Sequence, residues 1–261
     1  MQQPVTGAGG QAAIAVGPLL VAVLALLTLV AAVTVWLGRL GGGWGVAAAA
    51  ARAALQLGVV SLVIAAVLDR AALTAAFVAL MFAVASATAA RRVTGHRSGL
   101  WAAVPIAAGV APVFALLLGS GLVPTRPIAV VPIAGILIGG AMTATSLAGR
   151  RALDELHARY GEYEAALSLG LLPRDAALIV CRPSAAQALV PALDQTRTVG
   201  LVTLPGAFVG VLLGGASPAQ AAAVQVLVLI ALLAVESIAI LVTVELVAVG
   251  RIRRPGRAIR S

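Results

Sequence analysis

Ala219–Val249 reads AQAAAVQVLVLIALLAVESIAILVTVELVAV, a run of 31 residues whose only polar side chains are Gln220, Gln225, Glu236, Ser237, Thr243 and Glu245. Within hydrocarbon every backbone N–H and C=O must be satisfied internally, and a single segment does so only as an α-helix. About 20 helical residues cross a bilayer core of about 30 Å. The stretch therefore predicts a membrane helix with length to spare, one that tilts or projects from the bilayer.

Working outward, six more apolar runs have this character: Pro18–Leu37, Val46–Leu68, Ala71–Ala90, Trp101–Leu118, Ile128–Ala148 and Val199–Leu213. The second contains Arg52, and the sixth is short. The fold class expected is all-α, a polytopic integral membrane protein with about seven transmembrane helices. Composition agrees: 61% of the 261 residues are hydrophobic and 10% charged, and the mean hydropathy is +1.08, far from a water-soluble chain. Residues 1–17 lack the positive segment of a cleaved signal peptide, so the first span is expected to be retained.

All 18 basic residues are Arg; there is no Lys. A phosphate-binding loop needs a lysine ammonium at the phosphates, so this chain has no Walker-type ATPase site of its own. Cys181 is the only cysteine, and His96 and His157 have no second His or Cys at ligand spacing, which argues against disulfides and metal clusters. The net charge of +9 does not point to nucleic acid. The arginines lie in the gaps between spans and at the tail, where they act as topology determinants. With the N-terminus outside, the cytoplasmic side holds Arg39, the Arg91, Arg92 and Arg97 cluster, the loop from Arg150 to Arg197, and the tail with Arg251, Arg253, Arg254, Arg257 and Arg260. The outside holds Arg70 and Arg126. The tail is expected against anionic lipid head groups.

The one long polar interruption is Tyr160–Gly206. Before it, Arg150 to Glu164 is expected to be a mixed-charge helix extending the fifth span, with i,i+4 pairs such as Glu155 to Arg159. Ser184 to Leu193 could lie at the membrane interface. Ala165 and Ala166 give a low helix surface that a partner can approach, Glu164 a charge at its edge, and Gly170 the left-handed backbone that stops a helix, with Pro173 just beyond. The bland reading is a small-residue helix with an ordinary glycine cap. In the sixth span Pro205 and Gly206 predict a break or a close helix approach, against the plainer reading of a kink.

The spacing Glu164-Ala165-Ala166, three residues, Gly170, then nine residues to Val180-Cys181-Arg182-Pro183 resembles the EAA signature of permease subunits of ATP-binding-cassette transporters. That resemblance implies a short cytoplasmic helix docking on a separate ATPase, with Glu164, Ala165, Ala166, Gly170, Pro173 and Arg174 as docking residues. More specific is a likeness to the FetB-type permeases, half-size transporter subunits linked to iron export, with plant relatives involved in aluminium tolerance. It rests on Ala51 to Leu57, Pro132 to Gly135, Met142 to Ala148, the run TRTVGLVTLPG at Thr196–Gly206, Gly215 to Pro218, and Gln225. The family carries Asn where Gly140 stands and Met-Met where Ala207 and Phe208 stand. The resemblance implies a seven-span permease domain over residues 18–249, with an extracytoplasmic tail 1–17, a cytoplasmic coupling segment 150–198 and an Arg-rich cytoplasmic tail 250–261. It also implies a homodimer in the cell membrane, exporting a metal ion such as iron, with ATP and Mg held by the ATPase subunit and no cofactor on this chain.

Polar side chains inside hydrocarbon tend to face a bundle interior or a water-filled path. Arg52 and Gln56 share a helix face, and Arg52 could instead snorkel to the interface. Met142, Thr145 and Ser146 share a stripe with Gly135 and Gly139, although hydroxyls returned to the preceding turn would explain Thr145 and Ser146 by packing alone. Gln225 and Glu236 share a face, while Glu245 lies opposite and is expected to pair with tail arginines. Glu236 could bind a cation, pair with Arg52 or be structural. These residues form the expected translocation path. Two other readings remain: an ATPase-independent secondary transporter or channel, and a membrane scaffold or assembly protein. The cargo and the direction of transport are not legible in the sequence.

Overall fold

The computed structural model describes residues 17–254. The expected N-terminal tail, save Gly17, and Arg257 and Arg260 of the C-terminal tail lie outside them. The described residues form helices joined by short turns, with one isolated bridge between Val199 and Thr203 and no strands among them. The elements are α1 (Pro18–Leu37), α2 (Gly43–Asp69), α3 (Ala71–Val93), a 3₁₀ turn (Arg97–Ala102), α4 (Ala103–Gly119), α5 (Pro127–Ala158), α6 (Tyr160–Ser168), α7 (Pro173–Ala186), a second 3₁₀ turn (Gln187–Leu189), α8 (Val190–Thr198), α9 (Gly206–Leu213) and α10 (Pro218–Ala248). Prolines open α1, α5, α7, α8 and α10, where their missing N–H is one of those left over at a helix start.

The chain divides into two units, Met1–Ala65 and Ala66–Ser261. In the first, α1 and α2 meet at a tight glycine turn. A Cβ on Gly43 would stand 2.7 Å from the Ala32 carbonyl oxygen, so only glycine allows the backbones so close. Thr28 and Thr34 donate to the carbonyls of Leu24 and Val30, both at 2.8 Å, which removes their polarity from an otherwise apolar helix.

In the second unit α5 and α10 form the central pair, and α3, α4 and α7 pack around them. At 32 and 31 residues each is roughly 47 Å long at 1.5 Å per residue, which exceeds a 30 Å hydrocarbon core. One core joins α3, α4, the first half of α5 and the middle of α10 through Ile106, Leu137, Ala141, Val235 and Ala239. The other joins the ends of α3, α5 and α10 to α6 and α7 through Val93, Ala152, Tyr163, Cys181 and Val247. Small residues set the spacing. A Cβ on Gly109 of α4 would be 2.6 Å from the Val235 carbonyl oxygen, and one on Gly149 of α5 2.9 Å from the Val93 methyls.

Among the described residues seven helices are long and apolar enough to cross a membrane, as the sequence predicts in number but not in every place. The expected sixth span, Val199–Leu213, is not one helix. Gly200, at φ +84°, turns the chain, Leu201, Val202 and Thr203 donate to the Thr198 carbonyl, and the eight residues of α9 follow. At about 12 Å, α9 is too short to span. The helix that qualifies instead is Pro173–Thr198. Its alanines let it lie against α5 and α10: Ala176, Ala177, Ala185, Ala188 and Ala192 are all buried. Ser184 to Leu193, expected at an interface, belongs to this packed stretch.

Candidate functional site

The C-terminal ends of α3, α5 and α10 converge. Ser98 donates to the Arg253 carbonyl at 2.8 Å, Thr94 to the same oxygen at 3.3 Å, and Arg254 reaches Asp154 at 2.6 Å. From this end the mixed-charge continuation of α5 leads into α6. Arg159 pairs with Glu155 at 3.3 Å, as the spacing predicts, and more closely with Glu162. That contact holds the Glu162 carboxyl below the usual carboxylate range.

α6 is fastened by Tyr163, which is 1% exposed in the core shared with α5 and α7, with Tyr160, Ala166 and Leu167 packed against the same core. The helix then stops in a Schellman turn. Gly170 has φ +90°, its N–H donates to the Leu167 carbonyl at 2.9 Å, and the Leu171 N–H donates to the Ala166 carbonyl at 3.2 Å. This is the left-handed glycine cap expected at Gly170. Pro173 opens α7 three residues on. Glu164, Ala165 and Gly170 are exposed and Ala166 and Pro173 half-buried. Leu169 and Leu172, at 82% and 67% exposure, flank the turn.

Arg174, expected to face a partner, is engaged within the chain. It holds Glu245 of α10 through Nη2 at 2.7 Å and Nε at 2.9 Å, and Asp175 at 3.0 Å, while Arg182 approaches Glu245 at 3.7 Å. The expected pairing of Glu245 with tail arginines is thus corrected. α7 crosses α10 where Glu245 emerges, and of the described tail arginines Arg254 reaches Asp154 and Arg251 lies over Trp101. The clamp escapes sequence analysis because its partners lie 71 residues apart.

Deeper in the second unit α5 and α10 carry buried polar side chains. Thr145 is fully buried, Ser146 2%, Gln225 4% and Glu236 8% exposed, and Met142 is half-buried. Ser146 donates to the Met142 carbonyl at 2.6 Å, the packing arrangement expected of a helical serine. Thr145 Oγ1 and Gln225 Oε1 have no partner among the described residues, and Glu236 forms no ion pair among them. Gly140 explains how a glutamate fits. A Cβ there would stand 2.8 Å from Glu236 Oε1 and 2.3 Å from a Leu232 methyl, so the missing side chain on α5 is the space the carboxyl occupies. Sequence analysis finds Glu236 but not this niche, whose halves are 96 residues apart. Arg52 and Gln56 belong to the first unit, where both are exposed. Among the described residues no group of three His, Cys, Asp or Glu could hold a metal ion. Pro205 caps the start of α9 at Gly206 and does not kink a continuous helix.

Comparison with known proteins adds a family. A family model described as "Uncharacterised protein family (UPF0014)" matches residues 18–250. The "UPF0014 membrane protein STAR2" of Oryza sativa subsp. japonica is 37% identical over 184 residues, 69% of this chain and 65% of that protein. "Protein ALUMINUM SENSITIVE 3" of Arabidopsis thaliana is 37% identical over 150 residues, 57% of this chain and 55% of that one. The "Probable iron export permease protein FetB" of Escherichia coli (strain K12) is 35% identical over 144 residues, 54% and 53% of the two chains. The chain thus spans between about half and two thirds of the length of these relatives. No solved structure matches it.

Proposed function

We propose, from the premise that this chain belongs to the UPF0014 family of multi-pass membrane proteins, that it is the permease subunit of a transporter driven by a separate ATPase, exporting a metal ion. The single observation that carries the reading is the turn at Gly170. An exposed, left-handed glycine corner with Glu164, Ala165, Leu169 and Leu172 around it is fastened by Tyr163 and the Arg174–Glu245 contact to the two longest helices. A partner gripping it would move α7 and α10 together as packed bodies. The gathering of arginines at the same end supports a cytoplasmic location for this turn, the N-terminus outside and the C-terminus inside. The polar side chains Met142, Thr145, Ser146, Gln225 and Glu236 of the second unit are the translocation path in this reading. The export of a metal rests on the name of the bacterial relative. A homodimer with two ATPase subunits, which hold the ATP and Mg, completes the assembly.

Gly170→Arg tests the reading. The space around Gly170 is open, so an added Cβ meets no atom within 4 Å, and the left-handed backbone costs about 1–2 kcal/mol. The variant is expected to insert and to retain its helix content while losing both co-purification of the ATPase and ATP-dependent metal efflux from vesicles. Normal coupling in that variant, or equal efflux by this chain alone in ATP-free liposomes, would remove the reading.

A further inference from the structure

Five arginines at the converging end have no acidic partner among the described residues: Arg91, Arg92, Arg97, Arg251 and Arg253, all exposed. They are gathered by backbone geometry and not by one another. Arg91 and Arg92 form the last turn of α3. Arg97 begins the 3₁₀ turn that follows. The chain after α10 is stitched onto this turn by the bonds of Thr94 and Ser98 to the Arg253 carbonyl and of the Arg253 N–H to Ser98 at 3.3 Å. The Arg251 guanidinium lies 5.0 Å from the centre of the Trp101 ring. Trp101 is 40% exposed and its neighbour Leu100 70% exposed.

Of the other arginines at this end, Arg150 and Arg151 lie on α5 without an acidic partner among the described residues, Arg151 being 3.3 Å from Gln187, and the rest are paired. Arg254 neutralises Asp154, Arg159 its two glutamates, and Arg174 and Arg182 Glu245. The five bring positive charge to a half-exposed indole and an exposed leucine. A soluble anion needs no apolar rim, and a protein partner would bring carboxylates without needing an indole at the rim. Guanidinium groups that can fork onto phosphate oxygens, beside a tryptophan with one wet edge, match a molecule with a phosphate head on an acyl body. We propose that this corner, formed by the α3 end, the 3₁₀ turn and the chain after α10, binds the head group of an anionic phospholipid, with Trp101 and Leu100 against its glycerol and upper acyl region. The corner needs no ATPase and does not rest on the transport reading.

The test uses the full chain with Trp36→Phe and Trp44→Phe, which leaves Trp101 as the only indole. It is reconstituted in phosphatidylcholine vesicles holding one fifth brominated phosphatidylglycerol, or one fifth brominated phosphatidylcholine. Trp101 emission should be quenched more strongly by the brominated anionic lipid. Arg97→Gln and Arg253→Gln should each lower that preference about fivefold, the equivalent of about 1 kcal/mol for a basic group near an anionic surface. Arg253 serves well here because its stitching bonds are made by backbone atoms and survive the substitution. Arg97→Lys with Arg253→Lys should retain most of the preference, separating charge from folding. Arg150→Gln with Arg151→Gln removes two charges, more than either single variant, from elsewhere on the same end and should leave it intact. Equal quenching by the two lipids, an equal loss in the 150/151 variant, or displacement by millimolar soluble glycerol phosphate would each overturn the proposal.

Discussion

Gly109→Ala is the sharpest test of how α10 is held. The new methyl would stand 2.6 Å from the Val235 carbonyl oxygen and 3.3 Å from a Val235 methyl. A carbon-to-oxygen contact relaxes at about 3.2 Å, so α4 and α10 must part by roughly 0.6 Å, and the obstacle is backbone with no rotamer to escape into. Such overpacking costs typically about 1–3 kcal/mol. Against it stands up to about 1 kcal/mol gained from the better helix propensity of Ala. The net expectation is a loss of about 1–2 kcal/mol, equivalent to a fall in Tm of roughly 2–8 °C for a chain of this size. Thermal unfolding of the detergent-solubilised protein measures it, with Gly139→Ala as reference because a methyl there meets nothing within 4 Å. The displacement would also shift Glu236, the next residue along α10, in its niche beside Gly140. If Gly109→Ala were as stable as Gly139→Ala, the close approach of α4 to α10 would be refuted.

Glu245→Gln should release the N-terminal end of α7 from α10 while costing less than about 1 kcal/mol, since both partners are substantially exposed. Faster hydrogen exchange at the start of α7 should match that of Arg174→Gln, and the double variant should add little; fully additive effects would mean the two side chains do not act on each other. The first turn of α6 should be acid-sensitive. Because Arg159 lowers the carboxyl of Glu162, its contribution is complete above the ordinary carboxylate range near pH 4.3 and is lost as pH falls through the lowered folded value. The protection factor of the Tyr163 amide, which removes the intrinsic pH dependence of exchange, should therefore fall on acidification in the native chain and change less in Glu162→Gln.

Much of the architecture is legible in the order of the residues. Apolar runs of about 20 residues predict membrane helices because length against bilayer thickness is a local property. Five of the expected spans overlie α1, α2, α3, α5 and α10, a sixth overlies α4 and the last residues of the 3₁₀ turn before it, and the Gly170 turn appears where a glycine before a proline demands it. The sixth expected span fails for a physical reason. Hydropathy over Val199–Leu213 is high, but Gly200, Pro205 and Gly206 break the helix, whereas the alanine-rich Pro173–Thr198 is moderately apolar and gains its burial from α5 and α10.

The sequence alone determined that the chain is built of membrane helices with its arginines, save Arg52, outside the apolar runs, since each of these features is set by neighbours a few residues away. Tertiary structure alone decided that Gly140 makes room for Glu236, that Gly109 admits the Val235 backbone, that Glu245 belongs to Arg174, and that the chain after α10 is tied to the end of α3. Those pairings join residues some 70 to 155 positions apart. They follow from which helix faces meet, and that is settled by close packing across the whole bundle, which no local pattern encodes.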